Sequence, residues 1–263
     1  MEPFRFSAGS TPLVVSAPHV GTEVPPGIAA RLTDAAQGLP DTDWHVDRLY
    51  AGARALGATT LFANLSRYVV DLNRDPSGKP LYPGADNTEL CPTRTFDGEP
   101  IWRGSPPDAG EIAERIERYW RPYHAQLRTA LDETRARHGI AVLLDAHSIR
   151  SVLPRFFQGR LPDLNFGTAD GASCAAELSD RLYAALEDPG FTRVRDGRFK
   201  GGYIARAYGR PVEGVHAAQL ELAQSAYMEE RPPWAWREDM AARIAPAIGR
   251  MLEAALSWAR ERS

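Results

Sequence analysis

A chain of 263 residues, 43% of them hydrophobic, can build one large α/β domain or two small ones around a sizeable core. Its 31 basic and 34 acidic side chains are well mixed, with a formal net charge of −3, so the composition excludes a basic nucleic-acid-binding surface, and no apolar run is long enough to span a membrane. The N-terminus shows no signal-peptide pattern, and two isolated cysteines, Cys91 and Cys174, make neither a disulfide framework nor a thiolate zinc cage, which together indicate a cytoplasmic protein.

Apolar, β-rich runs alternate with helical patterns along the chain. Strands are predicted at residues 13–17, 59–63, 68–72, 140–145 and 215–222. Helices are predicted at residues 43–56, 107–138, 173–186 and 238–262. Pro122 is expected to kink or split the second of these helices. With no repeat and no linker, residues 1–263 are predicted to form a single α/β domain with a mostly parallel or mixed sheet and helices on both faces.

Two long stretches, residues 73–106 and 149–171, interrupt this alternation. Both contain many Pro, Gly and Asp residues and show no apolar period. Each follows a predicted strand, and ligands of α/β sheets bind beyond the carboxyl ends of the strands. Loops of this length in a compact domain are usually lids or binding loops, so we expect both to border a ligand site.

Two of the six histidines end apolar predicted strands. His19 follows the strand 13–17, and His147 follows the strand 140–145 in the segment LLDAHS. A lone strand-end histidine is more often structural, but two of them with acidic residues nearby favour a metal site. Neutral imidazole together with carboxylate suits zinc, and a catalytic zinc keeps one position open for water. The sequence therefore predicts one zinc per chain, replaceable by another divalent metal.

The third metal ligand has two candidates, Asp43 and Glu23. Glu23 lies four residues after His19, in the segment HVGTEVP. Asp43 lies in the first turn of the predicted helix 43–56, where capping and the helix dipole already favour a carboxylate. Because Asp41 can cap that helix, Asp43 is left available for a metal. Asp43 is therefore favoured as the third ligand, with Glu23 as the alternative.

Glu221 is a lone carboxylate between Leu220 and Leu222 in the predicted strand 215–222. Desolvation at such a position raises the pKa of a carboxyl group, as a general base working near neutral pH requires. The alternative role for Glu221 is a buried ion pair with an arginine. The chain contains no G-x-S-x-G, H-E-x-x-H, P-loop or G-x-G-x-x-G pattern, so serine-hydrolase and nucleotide-binding chemistry are not indicated.

Several arginines lie near predicted strand ends and loops. Arg67 and Arg74 flank the candidate strand 68–72, while Arg150 and Arg206 lie near the other loops. Guanidinium groups bind carboxylates through two parallel hydrogen bonds. If these arginines lie together around the opening of one binding site, they predict a small acidic substrate.

Six segments resemble the N-formylglutamate amidohydrolases, or N-formylglutamate deformylases, of histidine degradation: SAPHVGTEVP, TDWHVDRLY, SRYVVDLNRDP, LLDAHS, LPDLNFGT and HAAQLELAQ. The likeness covers nearly the whole chain. This family is similar in turn to the zinc carboxypeptidases and aspartoacylases. The resemblance therefore implies a fold of the zinc-carboxypeptidase type.

Three short segments imply roles for individual residues through this resemblance. DLNR resembles the segment whose arginine holds a substrate carboxylate, DAHS the segment with the second metal histidine, and LEL the segment with the catalytic glutamate. This makes Arg74 a carboxylate clamp, with Asn73 beside it as a further substrate-binding candidate, His147 a metal ligand and Glu221 the base.

In carboxypeptidases a ligand glutamate follows the first histidine by three residues. Thr22 occupies that position here, so the choice between Asp43 and Glu23 stays open. The function implied is zinc-dependent hydrolysis of N-formyl-L-glutamate to formate and L-glutamate, the last step of a histidine degradation route. The alternatives are a related zinc deacylase or carboxypeptidase acting on another N-acyl amino acid, and a metal-free binding protein for acidic small molecules. Clustering of Glu221 with both histidines discriminates the enzymes from the binding protein.

Overall fold

A mixed β-sheet runs through the centre of the protein, for which a computed structural model describes residues 1–81, 84 and 86–263. Its strands are β1 (Phe4–Ser7), β2 (Leu13–Ala17), β3 (Thr59–Ala63), β4 (Ala141–Ile149), β5 (Leu164–Gly167), β6 (Arg193–Arg195) and β7 (Val215–Ala223). They lie in the order β1-β3-β2-β4-β7-β5-β6. Strands β3, β2, β4 and β7 are parallel to one another, whereas β1 and β5 run antiparallel to their neighbours β3 and β7.

The three central strands β2, β4 and β7 are buried along their whole length. A parallel strand covered on both faces is apolar at successive positions, which explains why these segments are continuous apolar runs in the sequence. Side chains of a strand alternate between the two faces of the sheet. His147 is paired with Glu221, and Asp145 with Gln219, so these four polar side chains share one face.

Helices cover both faces of the sheet. They are α1 (Pro26–Ala29), α2 (Asp34–Gln37), α3 (Val46–Leu49), α4 (Gly52–Ala55), α5 (Ala109–Arg115), α6 (Arg121–His138), α7 (Ala176–Ala185), α8 (Tyr203–Tyr208) and α9 (Glu238–Arg260). One apolar cluster joins α3, α7 and α9 to one face, and a second joins α6 and α8 to the other. Among the described residues, no helix is both long and apolar enough to cross a membrane.

The predicted α/β class, with a mixed sheet and helices on both faces, is confirmed. The strands predicted at 13–17 and 59–63 are present with the predicted ends. The strands predicted at 140–145 and 215–222 and the helices predicted at 173–186 and 238–262 are present with shifted ends. The predicted helix 107–138 is α5, a π-helical turn (Ile116–Trp120) and α6, and Pro122 lies in the first turn of α6.

Two predicted elements are wrong. Residues 43–56 form the two short helices α3 and α4 rather than one helix, and His45 before α3 has a left-handed φ of 63°. The apolar residues that suggested the single helix, Val46, Leu49 and Ala53, nevertheless pack into the core. Residues 68–72 form no strand and include turns. The carbonyls of Tyr68 and Val69 accept hydrogen bonds from the Arg115 side chain and not from the backbone of a neighbouring strand.

The two predicted loops differ from each other. Residues 73–106 include positions 82, 83 and 85, which lie outside the described residues, and form no helix or strand at the described positions. Residues 149–171 contain β5, which pairs antiparallel with β7 and extends the sheet. Its sequence, LNFG, is too short for a recognisable alternation.

Candidate active site

A cavity of about 600 Å³, including its open mouth, lies at the carboxyl ends of the central strands β2, β4 and β7. This is where α/β sheets bind ligands. Seven residues singled out from the sequence line this cavity: His19, Asp43, Arg67, Asn73, Arg74, His147 and Glu221. The cavity wall is completed by aromatic side chains from three loops, Phe96, Phe156 and Phe199.

His19, Asp43 and His147 form a buried group whose three ligand-type atoms all lie within 4.8 Å of one another. His147 Nδ1 is 3.0 Å from Asp43 Oδ2, and His19 Nδ1 is 3.7 Å from the same oxygen. Glu23, the alternative third ligand, is exposed, and its backbone pairs with the segment after β3. The structure therefore brings Asp43, and not Glu23, to the two histidines.

The Nε2 atom of each histidine forms a hydrogen bond with a fully buried carboxylate. His19 Nε2 lies 2.7 Å from Asp71 Oδ1, and His147 Nε2 lies 2.8 Å from Asp145 Oδ2. An ionised carboxylate can only accept, so each Nε2 donates to its own carboxylate, and His147 Nδ1 donates to Asp43 Oδ2 as long as no cation takes the place of that proton. Histidine ligands of metals are held by carboxylates in this way.

The electrostatics of this group favour a cation. Burial by itself lowers the pKa of His147, but the charges of Asp145 and Asp43 and their hydrogen bonds hold it well above its usual value. The buried Oδ1 of Asp43 has no hydrogen-bond partner among the described residues. With a metal ion in place of the Nδ1 proton, two imidazole nitrogens and a carboxylate with an oxygen free of hydrogen bonds are a donor set that fits a divalent transition metal.

Asp43 is positioned by long-range contacts rather than by a helix. Its backbone N–H donates to the carbonyl of His19 at 3.0 Å, and its Oδ2 accepts from the backbone N–H of Ser148 at 3.1 Å. Gln224, just after β7, donates to the carbonyl of Thr42 at 2.9 Å. The segment that carries Asp43 is thus attached to all three central strands.

Asp41 attaches the same segment to the loop 73–106. Its Oδ2 accepts hydrogen bonds from the Tyr68 hydroxyl at 2.6 Å and from the backbone N–H of Phe96 at 2.9 Å. Its backbone carbonyl accepts from Arg67 Nη1 at 3.2 Å. Burial raises the pKa of Asp41 to about 6, against the lowering effect of the Tyr68 hydrogen bond and the Arg67 charge. Asp41 therefore supports the site rather than capping a helix.

Glu221 lies on β7 directly beside His147 of β4. Its side chain is buried, and this burial raises its pKa to about 8, although the charge of His147 acts in the opposite direction. A cation at the neighbouring group would lower that value, because an opposite charge favours the ionised form. Glu221 is therefore a carboxylate basic enough to accept a proton near neutral pH.

The predicted substrate-binding residues are placed in different surroundings. Arg67 is buried, donates to Asp71 Oδ2 at 2.7 Å and lies 3.6 Å from Asp43 Oδ1. Arg74 donates to the carbonyl and hydroxyl of Thr88 and to the carbonyl of Asn73, and its Nη1 lies 4.0 Å from Asp71 Oδ2. Both guanidinium groups line the cavity in fixed orientations.

Asn73 is largely used by the protein itself. Its Oδ1 accepts from the backbone N–H of Ile204 at 2.7 Å, and its Nδ2 lies 3.0 Å from His147 Nε2 and 3.4 Å from Asp145 Oδ2. Arg150 pairs with Asp97 at 2.8 Å, and Arg206 donates to the carbonyl of Gly201; neither lines the cavity.

Sequence reasoning missed four residues of the site: Asp71, Asp145, Arg198 and Gln219. Asp145 stands two residues before His147, and Gln219 two residues before Glu221, so the strand period of two could have placed each on the face of its partner. Asp71 is a lone carboxylate in the apolar run 68–72, a signal that could have marked it, whereas no local signal marks Arg198. Arg198 lines the cavity, and its Nε donates to the carbonyl of Phe156 at 2.9 Å.

Comparisons with known proteins identify the family of the chain. A family model described as N-formylglutamate amidohydrolase matches residues 11–228. N-formylglutamate deformylases of Pseudomonas putida and Pseudomonas aeruginosa are 48% and 49% identical to the chain, covering 98% and 99% of it and 97% and 98% of their own lengths. The crystal structure of N-formylglutamate amidohydrolase from Ralstonia eutropha superposes with a TM-score of 0.86 at 28% identity, covering both chains completely. A protein from Agrobacterium tumefaciens, Atu2144, shares the fold at a TM-score of 0.72 and 19% identity, over 98% of this chain and 96% of its own. The resemblance seen in the six sequence segments is thus confirmed, and the chain belongs to the N-formylglutamate amidohydrolase family.

Proposed function

We propose that this protein catalyses the zinc-dependent hydrolysis of N-formyl-L-glutamate to formate and L-glutamate, in the cytoplasm, as the last step of a histidine degradation route. The observation that carries the proposal is the position of Glu221 beside the group of His19, Asp43 and His147 in one cavity. The substrate follows from the family, whose Pseudomonas members are N-formylglutamate deformylases.

His19, Asp43 and His147 would hold one zinc ion per chain, which another divalent metal could replace. When bound there, zinc supplies Lewis acidity and lowers the pKa of water towards about 7. Three protein ligands with one open position are typical of catalytic rather than structural zinc sites. Asp71 and Asp145 fix the orientation of the two imidazole rings through their Nε2 atoms.

Glu221 supplies the proton transfers of the reaction. It accepts a proton from the water that adds to the formyl carbon, and it delivers that proton to the amine nitrogen as the C–N bond breaks. The second hydrogen of the water leaves the formic acid as a proton that the amine takes up, so the products are formate and the ammonium form of glutamate, and the Glu221 carboxylate is regenerated. General base and acid work of this kind is worth about 10²- to 10⁴-fold in rate.

The substrate carries two carboxylates, and the cavity offers three arginines, Arg67, Arg74 and Arg198. We assign Arg74 to a substrate carboxylate because its hydrogen bonds at the cavity wall go to the uncharged groups of Thr88 and Asn73. The Asp71 carboxylate lies 4.0 Å away and already accepts from His19 and Arg67 at 2.7 Å. Arg67 contributes positive charge next to Asp43. Asn73 Nδ2 donates to Asp145 Oδ2, the carboxylate that accepts from His147 Nε2. Arg150 and Arg206 lie outside the cavity lining and have no part in this proposal.

We further propose that residues 1–263 act as one N-formylglutamate amidohydrolase-like domain related to the zinc carboxypeptidases and aspartoacylases. The support is the arrangement of the site, with ligands and base contributed from the carboxyl ends of neighbouring parallel strands. A second candidate, a related zinc deacylase acting on another N-acyl amino acid, is favoured by the aromatic wall of Phe96, Phe156 and Phe199, which suits a larger acyl group. A metal-free binding protein would have no use for a buried base beside two histidines.

Formate release by the purified protein tests the proposal. We expect turnover of N-formyl-L-glutamate that is lost after chelation and restored by zinc, with one metal ion per chain by elemental analysis. N-formyl-L-glutamine, which lacks the side-chain charge, should be a poor substrate. Full activity after complete metal removal would contradict the zinc proposal, and equal turnover of both compounds would contradict an acidic-substrate site.

Arg74→Ala is expected to lower kcat/KM for N-formyl-L-glutamate, because a charge pair in a partly dry site is lost. The loss of transition-state stabilisation should be about 2 to 5 kcal/mol. Arg74→Lys should restore only part of this loss, since an ammonium group lacks the planar fork of a guanidinium. Arg118→Ala, which removes an exposed arginine paired with Glu114, is the matched control. Unchanged kcat/KM in Arg74→Ala would remove Arg74 from the substrate site.

A further inference from the structure

The Gln219 side chain lies between the backbone of Gly202 and the Glu221 carboxylate. Its Oε1 accepts a hydrogen bond from the backbone N–H of Gly202 at 2.6 Å, and its Nε2 donates to Glu221 Oε2 at 3.3 Å. Gln219 is only 4% exposed and lines the cavity. Because its oxygen accepts one hydrogen bond and its nitrogen donates another, the buried amide group is held in a single orientation.

That orientation is set by the backbone at Gly202. An N–H group can be accepted only by the amide oxygen, so the amide nitrogen of Gln219 must face Glu221. Gly202 itself approaches the site closely, since a Cβ on it would lie 2.2 Å from Asn73 Nδ2. Asn73 also accepts the backbone N–H of Ile204, so the start of α8 is fixed against the site at two points.

Glu221 needs such a partner because its backbone contacts do not define its carboxylate. Asn165 of β5 donates to the Glu221 carbonyl at 3.1 Å, which fixes the strand. The glutamate side chain still has several rotatable bonds, and each staggered rotamer places the carboxylate elsewhere. A general base must lie within hydrogen-bond reach of the proton that it takes.

We infer that Gln219 is a positioning residue that holds the Glu221 carboxylate in the orientation from which it accepts the proton of the attacking water. The inference rests on the proposed role of Glu221 as the base. Gln219 acts through Glu221 and touches no reacting atom. Because the same amide is attached to Gly202, it also connects the base to the segment 197–202, which contributes Phe199 to the cavity wall.

Two substitutions separate the contacts of Gln219. Gln219→Met keeps a similar volume but neither accepts nor donates, whereas Gln219→Glu keeps an oxygen for Gly202 and replaces the donor to Glu221. We expect kcat to fall by about 10- to 100-fold in both, the scale of a misplaced catalytic group. KM should stay within about twofold, and the metal content should not change. His216→Gln is the matched control, because His216 lies on the same strand and accepts a backbone N–H from Ala175 on the opposite face.

Crystal structures of the wild type and Gln219→Met supply a readout that does not depend on activity. We expect the Glu221 carboxylate to leave its wild-type position in the variant. An unmoved carboxylate, a kcat within twofold of the wild type, or a change confined to KM or metal content would each overturn the inference. If the wild type releases no formate from N-formyl-L-glutamate, the proposed function fails, while the two crystal structures still decide whether Gln219 holds Glu221.

Discussion

Glu221→Gln is expected to lower kcat by about 10²- to 10⁴-fold while leaving the metal in place. The amide has the shape of the carboxylate but cannot accept a proton. Its oxygen can still accept the hydrogen bond from Gln219 Nε2, so the surroundings of the side chain are preserved. The metal is retained because His19, Asp43 and His147 are unchanged.

The measurement is kcat for formate release together with metal content and the midpoint of thermal unfolding. Glu253→Gln, on the exposed side of α9, is the control for a glutamate-to-glutamine change without a catalytic partner. A loss below about tenfold with stoichiometric metal falls short of general base catalysis. In that case Glu221 is a structural carboxylate, and the proton acceptor has to be sought elsewhere.

His147→Ala is expected to lose the metal and the activity together. Its Nδ1 is one of the three proposed ligand atoms, and its Nε2 is the partner of Asp145. Removing the ring leaves Asp43 and Asp145 buried without this partner, which costs folding free energy as well as metal affinity. His147→Gln, which keeps a polar group near Asp145, separates the loss of metal from a loss of stability.

Metal per chain, measured after dialysis, checks this expectation. A His147→Ala protein that folds and keeps stoichiometric metal would refute the assignment of His147 as a ligand. His216→Ala, a histidine remote from the cavity, should keep its metal. Comparing Asp43→Ala with Glu23→Ala names the third ligand: we expect the first to lose metal and the second, which alters an exposed residue, to keep it.

The sequence identifies the chemistry of the site better than its architecture. His147 and Glu221 stand out because a polar residue in an apolar strand is locally visible. The sequence suggests that they end their strands, yet β4 and β7 continue to Ile149 and Ala223 because the two strands pair along nine residues. Strand length is set by that pairing, which no local pattern encodes.

Asp43 shows a second kind of limit. The residue is predicted as a ligand on the assumption that it lies in the first turn of a helix, but its backbone N–H is taken by His19 and its side chain by Ser148. Arg150 is a case in which the prediction fails. Its position near a strand end predicts that it lines the substrate cavity, but its guanidinium donates a hydrogen bond to Asp97 of the loop 73–106 instead. Contacts between residues so far apart in the chain depend on the folded topology and not on neighbouring residues.

The order of the strands has a consequence for how the metal site comes into existence. Strand β2 pairs with β4 and β4 with β7, so Leu13 lies next to Val142 and His147 next to Glu221. Contacts between such distant segments form late, after the entropy of closing long loops has been overcome. A partly folded chain therefore has no complete set of ligands, and metal can be captured only by a chain whose central sheet has closed. If the proposed metal binds only the native chain, it would shift the folding equilibrium towards the native state by an amount that grows with its affinity and free concentration, and would stabilise the fold as well as serve the reaction.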